Sequence, residues 1–164
     1  MSRWFLVLAL CLTSLGVTAL EIGQTAPQIV GRDVSKALFA LSRMDAKPKV
    51  LNFFWVGCLP CKKEIPLLAE KEKQYPGISF VSIHAEINMD TETNYNIEDI
   101  QQYISTLTGH PKQVVLGSDR LKQQYNIEGF PVSFLLSADN VIEDVLYGFN
   151  EGTMKQLAQW VAKQ

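Results

Sequence analysis

Two of the three cysteines form the motif Cys58-Leu59-Pro60-Cys61, in which two residues separate them. That spacing lets the two sulfurs approach closely enough to form a disulfide. The motif follows a nearly continuous apolar run, Lys49 to Trp55, and precedes a segment with helical spacing. Cys58 would then lie at a helix N-terminus, where free backbone N–H groups and the helix dipole favour a thiolate. We predict that Cys58 is the exposed, activated nucleophile and that Cys61, one turn deeper, resolves a mixed disulfide.

Glu64 follows Cys61 by three residues, which puts both side chains on one face of the predicted helix. A carboxylate in that place disfavours the thiolate of Cys61 and can act as a general base for its thiol. The alternative is a solvated helix glutamate paired with Lys63 or with a lysine such as Lys71. We predict that Glu64 acts on the cysteine pair and is not merely a solvated residue of the helix.

A second motif, Gly129-Phe130-Pro131, directly precedes an apolar strand predicted from Val132 to Leu136. Proline is tolerated in a sheet at the first residue of a strand or on an edge. It either ends the preceding segment as an ordinary trans-proline or forms a cis peptide bond. In the cis form, which we favour, Pro131 would hold Phe130 and its backbone against the cysteine pair.

The cysteine pair has two other interpretations: an inert structural disulfide, and a metal site built from thiolates. Zinc requires four ligands, and neither His84 nor His110 has zinc-finger spacing relative to the cysteines. Cu(I) is the stronger metal candidate, because soft thiolates select it and Met89 lies near His84 on one predicted loop. We nevertheless predict no metal, and we interpret His84 as a polar residue at a strand end and Trp160 as a packing residue.

The elements that must position these residues follow from the spacing of apolar residues. An irregular segment from residue 20 to 47, with a short hairpin or helix, leads into the fold, and residues 85–95 read as a loop insertion. The order of elements predicts an α/β fold whose mixed sheet has helices on both faces and ends in an antiparallel hairpin. The predicted strands are 49–55, 78–84, 114–116, 132–136 and 141–147, and the predicted helices are 59–75, 96–107, 119–126 and a last one carrying Met154, Leu157 and Val161.

Length and composition describe one ordinary globular domain. The chain has 164 residues, of which 47% are hydrophobic and 20% are charged. Fifteen Lys and Arg stand against 17 Asp and Glu, for a net charge of -2. Nucleic-acid binding that depends on neutralising phosphates is therefore excluded as a function.

The first 19 residues have the pattern of a secretory signal peptide. Arg3 precedes an apolar run from Trp4 to Val17, and small residues up to Ala19 suit cleavage. Cys11 is apolar filler in this run. We predict an exported, periplasmic or otherwise extracytoplasmic domain of residues 20–164, and the alternative is an uncleaved N-terminal anchor. In such compartments the remaining two cysteines can persist as a disulfide.

Three segments together resemble the thioredoxin superfamily, and more narrowly its exported TlpA/ResA-like thiol–disulfide oxidoreductases. They are 22–27 (IGQTAP), 54–66 (FWVGCLPCKKEIP) and 125–131 (YNIEGFP). The resemblance implies a thioredoxin-like fold, an active-site cis-proline at Pro131 and a helix bend at Pro66. It also implies that Phe130 pairs its main chain with a substrate polypeptide.

The resemblance further implies that Glu64 is an active-site acid that modulates the cysteine pKa and that Trp55 contacts substrate. Two positions depart from the superfamily pattern. Asn52 stands where thioredoxins have a buried acid, although the exported subgroup often has asparagine there. Gly57 stands where an aromatic residue is expected just before the first cysteine, so that the aromatic Trp55 is displaced along the chain.

The resulting prediction is an extracytoplasmic oxidoreductase that reduces protein disulfides, for example in apocytochrome c, without a bound cofactor. Its electrons would come from a membrane thiol-relay protein. A helix terminus contributes about 0.3–1 kcal/mol to thiolate stability, whereas the strongest oxidants need about 6.8 kcal/mol, which favours the reducing direction. A disulfide oxidase or isomerase on the same fold and a copper-handling protein that binds through Cys58 and Cys61 are the alternatives.

Overall fold

The computed structural model describes residues 20–85 and 95–164. The predicted signal peptide, which contains Cys11, lies outside the described residues. Residues 86–94 of the predicted 85–95 loop, which include Met89, also lie outside them. In these two ranges no helix is both long and apolar enough to span a membrane.

Seven strands and four α-helices make up the described part of the chain. The strands are β1 (Val30–Asp33), β2 (Leu38–Ala40), β3 (Lys49–Phe54), β4 (Ser79–His84), β5 (Gln113–Leu116), β6 (Val132–Leu136) and β7 (Ile142–Tyr147). The helices are α1 (Leu59–Gln74), α2 (Ile97–Ser105), α3 (Asp119–Gln124) and α4 (Glu151–Val161), and a 3-10 turn covers Leu41–Arg43.

The strands form one mixed sheet in the order β2-β1-β5-β4-β3-β6-β7. The central strands β3, β4 and β5 are parallel, whereas β6 pairs antiparallel with both β3 and β7. The predicted α/β fold with a C-terminal hairpin is therefore confirmed. The short hairpin that was one of the two forms expected in the lead-in is present, because β1 and β2 pair antiparallel and extend the sheet beyond β5.

Helices cover both faces of the sheet, as the alternation in β3 requires. Leu51 and Phe53 pack on one face against α3 and the N-terminal segment. Val50 and Phe54 pack on the other face, against α1, α4 and α2. Asn52 shares this second face, because successive side chains in a strand alternate between faces. One polar residue of β3 therefore lies beneath the helix that starts at the cysteine motif.

The topology brings the two sequence motifs to the same edge of the sheet. Cys58 follows the carboxyl end of β3, where it precedes α1. Since β6 runs antiparallel to β3, with Val132 paired to Phe53, Pro131 lies at that same edge. The N–H of Gly148, just past β7, donates to the carbonyl oxygen of Pro131 at 2.8 Å. We call this edge the cysteine edge.

The N-terminal segment is fastened at the opposite edge of the sheet. The N–H of Gly23 donates to the carbonyl oxygen of Ile142 at 2.7 Å, and that of Ala26 donates to Asn140 at 2.8 Å. Asn140 lies in the turn between β6 and β7, and Ile142 is the first residue of β7, where it pairs with Leu136. The segment that follows residue 20 is therefore hydrogen-bonded to the sheet at the edge opposite the cysteine edge.

Candidate active site

Cys58 and Cys61 form a disulfide, with their Cα atoms 5.3 Å apart. Cys58 is the N-cap of α1, and its sulfur accepts a hydrogen bond from the backbone N–H of Cys61 at 3.1 Å. Pro60 lies in the first turn, where a helix has no use for its missing N–H. Together, the strand end, the cap and the proline hold both sulfurs at the start of the helix.

The predicted exposure of Cys58 is wrong for the disulfide form. Cys58 is 7% exposed and Cys61 is completely buried. Trp55 and Phe130 pack against the cluster that contains both cysteines. Cys58 is nevertheless the more accessible residue of the pair.

Trp55 and Gly57 explain how the chain departs from the superfamily pattern. A Cβ atom placed on Gly57 would overlap the indole ring of Trp55, so this ring occupies the space beside the glycine. The aromatic side chain beside Cys58 is thus supplied from three residues upstream instead of one. Trp55 is half-buried there, in contact with the cysteine cluster.

The Phe130–Pro131 peptide bond is cis, which is the form we favoured from the sequence. Phe130 is half-buried and packs against the cluster containing both cysteines. The structure therefore brings Phe130 and Trp55 to the cysteine pair, with Pro131 beside them at the cysteine edge.

Glu64 is buried, with 4% of its surface exposed, and it forms no ion pair with a lysine in the described part of the chain. Its carboxylate oxygen Oε2 accepts a hydrogen bond from Nδ2 of Asn52 at 2.8 Å. Burial raises the pKa of Glu64 to about 7, although the Asn52 hydrogen bond lowers it in part. A carboxyl group one turn beyond Cys61 is therefore poised to take up or release a proton near neutral pH.

A row of buried polar residues across three strands supports this carboxyl group. Nδ2 of Asn52 also donates to the hydroxyl oxygen of Ser133 at 3.0 Å, and Asn52 is in register with both Ser133 and Ser82. Asn52 Oδ1 and Ser82 Oγ are buried without a hydrogen-bond partner among the described residues. The role of Ser133 was missed from the sequence, although a polar residue inside an apolar strand is a signal that could have found it.

His84 ends β4, as expected, and is 2% exposed. Its ring lies edge-on to Phe54 and Tyr95, with centroid distances of 5.5 and 5.4 Å. Burial lowers the pKa of His84 to about 4, so the ring is neutral at pH 7. In residues 20–85 and 95–164 there is no group of three or more His, Cys, Asp or Glu that could hold a metal ion.

Trp160 packs as expected, in the cluster between α1, α4 and the sheet. Its indole Nε1 donates to Glu143 at 2.8 Å. It lies in a different cluster from the cysteines and belongs to the core.

The chemistry of this edge is disulfide exchange. A disulfide whose outer sulfur is the more accessible can be opened by an incoming thiolate, and the resulting dithiol can attack another disulfide. The exposed Leu59, with 75% of its surface accessible, adds an apolar contact beside the outer sulfur.

The comparisons with known proteins point to the same chemistry, although no protein-family model matches the chain. It is 28% identical over 147 residues to the thiol-disulfide oxidoreductase ResA of Bacillus thuringiensis subsp. konkukian, covering 88% of this chain and 79% of that protein. To ResA of Bacillus subtilis strain 168 it is 27% identical, covering 81% and 71%. A thioredoxin-family thiol:disulfide interchange protein from Chlorobium tepidum TLS superimposes with a TM-score of 0.68 at 24% identity, covering 88% and 98%. The chain is therefore similar over most of its length to ResA thiol-disulfide oxidoreductases, which supports thiol–disulfide oxidoreductase activity, and its fold is thioredoxin-like.

Proposed function

We propose that this oxidoreductase works outside the cytoplasm and reduces disulfides in client proteins. The observation that carries the proposal is the Cys58–Cys61 disulfide at the start of α1, with a buried carboxyl group three residues further along the helix. Phe130, whose main chain the resemblance pairs with a substrate polypeptide, packs against the cysteine cluster, which supports a polypeptide as the client.

The reaction begins with the dithiol form. The Cys58 thiolate attacks one sulfur of the client disulfide, which forms a mixed disulfide and releases the other client sulfur as a thiolate. Cys61 then loses its proton and attacks the sulfur of Cys58. This second step releases the first client sulfur and leaves the client reduced by two electrons, and the enzyme holds the Cys58–Cys61 disulfide.

Glu64 is the general base for the second step. Its carboxyl group lies on the same helix as Cys61 and both are buried, so water has little access to the Cys61 thiol. A pKa of about 7 leaves a large fraction of Glu64 ionised near neutral pH, ready to accept that proton. Asn52, which donates to the carboxylate, acts as a positioning residue.

The electrostatics of the site favour the reducing direction. Strong oxidants stabilise their reduced form through a thiolate of very low pKa. Here Lys62 and Lys63 are exposed to solvent, which screens their charge. The hydrogen bond from the Cys61 N–H and the helix terminus favour the Cys58 thiolate, but a terminus contributes only about 0.3–1 kcal/mol. The Glu64 carboxylate disfavours a thiolate at Cys61.

The signal-peptide pattern of residues 1–19 supports the extracytoplasmic part of the proposal. The proposal also includes a donor dithiol protein in the membrane, which restores the reduced form. We propose secreted proteins with disulfides, for example apocytochrome c, as the clients. Mass spectrometry of the protein exported by a bacterial host tests the location. We expect a chain that begins at Leu20, or the uncleaved chain in the membrane fraction, and an uncleaved chain in the cytosol would contradict it.

Insulin reduction tests the activity. We expect the wild type with an electron donor to precipitate reduced insulin, Cys58→Ser to lose at least about 100-fold in rate, and Cys61→Ser to accumulate the mixed disulfide. Equilibration with a glutathione series should place the reduction potential nearer to about −270 mV than to about −120 mV.

A potential near the upper value, with efficient oxidation of a reduced client, would overturn the reducing direction and favour an oxidase or isomerase. Titration with Cu(I) distinguishes the remaining alternative. Tight binding of Cu(I) that requires both cysteines, without insulin reduction, would favour a copper-handling protein.

A further inference from the structure

A pocket of about 450 Å³ opens beside the cis-proline. Its lining includes Phe130 and Pro131, Glu128 from the preceding loop, and Tyr147 at the end of β7. Phe134 is 2% exposed and forms part of the base, whereas Tyr147 is 71% exposed and forms part of the rim.

The pocket combines aromatic walls with one charge. Phe130 and Tyr147 supply two accessible rings, the buried Phe134 closes the base, and of the described residues that line the pocket only Glu128 is charged. Glu128 is exposed and makes no ion pair within the described residues. Aromatic faces and a carboxylate both attract a cation, and the rings also bury the apolar stem of a lysine or arginine.

One residue, Phe130, links the pocket to the cysteine pair. It lines the pocket and also packs against the cluster that holds both cysteines. Pro131 follows Phe130 in the pocket wall, where the N–H of Gly148, which also lines the pocket, donates to its carbonyl oxygen. A polypeptide that presents a disulfide to Cys58 therefore places a neighbouring side chain within reach of the pocket.

We propose that this pocket binds a lysine or arginine side chain of the client, close in sequence to the cysteine that is attacked. The inference rests on the proposed function in one respect, that the clients are polypeptides with disulfides. It goes further in naming Glu128 and Tyr147 as residues that determine which clients are preferred.

Disulfide-bonded peptides test this preference. The set carries one lysine at each position flanking the cysteine, and matched peptides carry norleucine or glutamate there. Formation of the mixed disulfide with the Cys61→Ser protein is measured, because the attack step does not depend on the net direction in vivo. We expect lysine peptides to react about 3–10-fold faster than norleucine peptides at the best position.

Two variants locate the preference. Glu128→Lys should reverse it in favour of glutamate, and Tyr147→Leu should weaken it. Glu70→Lys is the matched control, because it makes the same change in net charge at an exposed position of α1. If Glu70→Lys reduces the preference as much as Glu128→Lys, the effect is general charge steering and the proposal fails.

The preference is independent of the overall activity. Equal rates for lysine and norleucine peptides in the wild type would overturn the pocket proposal and leave the reductase proposal intact. Failure to reduce insulin, combined with a clear lysine preference in the trapping experiment, would overturn the reducing direction and leave the pocket proposal intact.

Discussion

At the scale of single residues, the proton chemistry depends on one amide. Asn52 uses both hydrogens of its Nδ2, one for Glu64 and one for Ser133. It thereby ties a carboxyl group on α1 to β3 and β6. The donor favours the ionised carboxyl group, whereas burial favours the neutral one, and burial is the larger effect.

Asn52→Leu should raise the pKa of Glu64, because leucine has the same branched arrangement of heavy atoms and cannot donate a hydrogen bond. Hydrogen bonds to charged groups are worth about 1.5–3 kcal/mol, so we expect the pKa to rise from about 7 to about 8 or higher. Infrared titration of the carboxyl band in the oxidised protein measures it.

Ser133→Ala is the matched control for this pKa, since it removes the other partner of Nδ2 and leaves the bond to Glu64 in place. We expect the pKa of Glu64 to change less in Ser133→Ala than in Asn52→Leu. A Glu64 pKa that stays the same or falls in Asn52→Leu would show that the amide does not stabilise the ionised carboxyl group.

At the scale of secondary structure, the cysteine edge depends on close approaches between segments that follow the parallel strands. Gly117, just after β5, donates its N–H to the carbonyl oxygen of His84 at 2.8 Å. A Cβ atom on Gly117 would overlap that same oxygen. Because the obstacle is backbone, a side-chain rotation cannot relieve it.

Gly117→Ala should therefore destabilise the protein by about 1–3 kcal/mol, the usual cost of forcing an extra methyl group into a packed site. Urea unfolding measures the free energy. Gly77→Ala is the matched control, because nothing lies within 4 Å of a Cβ at that position. We expect the control to stay within about 0.5–1 kcal/mol of the wild type, and equal losses in both variants would contradict the backbone overlap.

The elements with strong local patterns were predictable from the sequence. The apolar run of β3 and the capping residues of α2 indicate their elements directly, and Asn96 and Asp99 do form a capping box. A short hairpin was one of the two forms expected before β3, but the bounds of β1 and β2 were not assigned. Both strands are short and largely exposed, and the place of β1 in the sheet depends on β5, far along the chain.

The candidate site was only partly predictable for the same reason. The motif spacing indicates the cysteine pair, and the resemblance points to Pro131 and Glu64. The burial of Glu64 depends on α1 packing over a polar pair formed by Asn52 and Ser133, which are 81 residues apart. The indole of Trp55 beside Gly57 likewise depends on three-dimensional packing that no spacing rule contains.

At the scale of the whole molecule, two buried groups have opposite effects on how the stability of the fold changes with pH. Glu64 has a raised pKa, so the folded state holds a proton that the unfolded state has lost between pH 4.5 and about 7. Stability from this group is therefore lost as pH rises through that window. His84 has a lowered pKa, so its contribution is lost as pH falls from 6.5 to about 4.

In the oxidised protein the effects of Glu64 and His84 on the pH dependence of stability should largely cancel between about pH 4.5 and 6.5. Variants that lack one of the two groups should reveal the effect of the other. Glu64→Gln leaves only the His84 effect, so stability relative to the wild type should rise with pH, by about 3 kcal/mol from pH 4 to 7. His84→Phe should do the opposite, falling by a similar amount over that range. Urea unfolding at several pH values measures both.

The disulfide must be kept intact during these measurements, so that the cysteines do not titrate. The double variant Glu64→Gln/His84→Phe is the control, and its pH dependence should again resemble that of the wild type. Parallel profiles for all four proteins would show that neither group changes its proton affinity on folding.

The attachment of the N-terminal segment beside the β6–β7 turn has a practical consequence for biosensor construction. A support, dye or fusion partner joined ahead of Leu20 enters the domain where Gly23 binds Ile142, across the sheet from the sulfurs. Immobilised in this way, the domain would present its reactive face to the medium, so oxidised and reduced analytes in solution could reach it without obstruction by the surface.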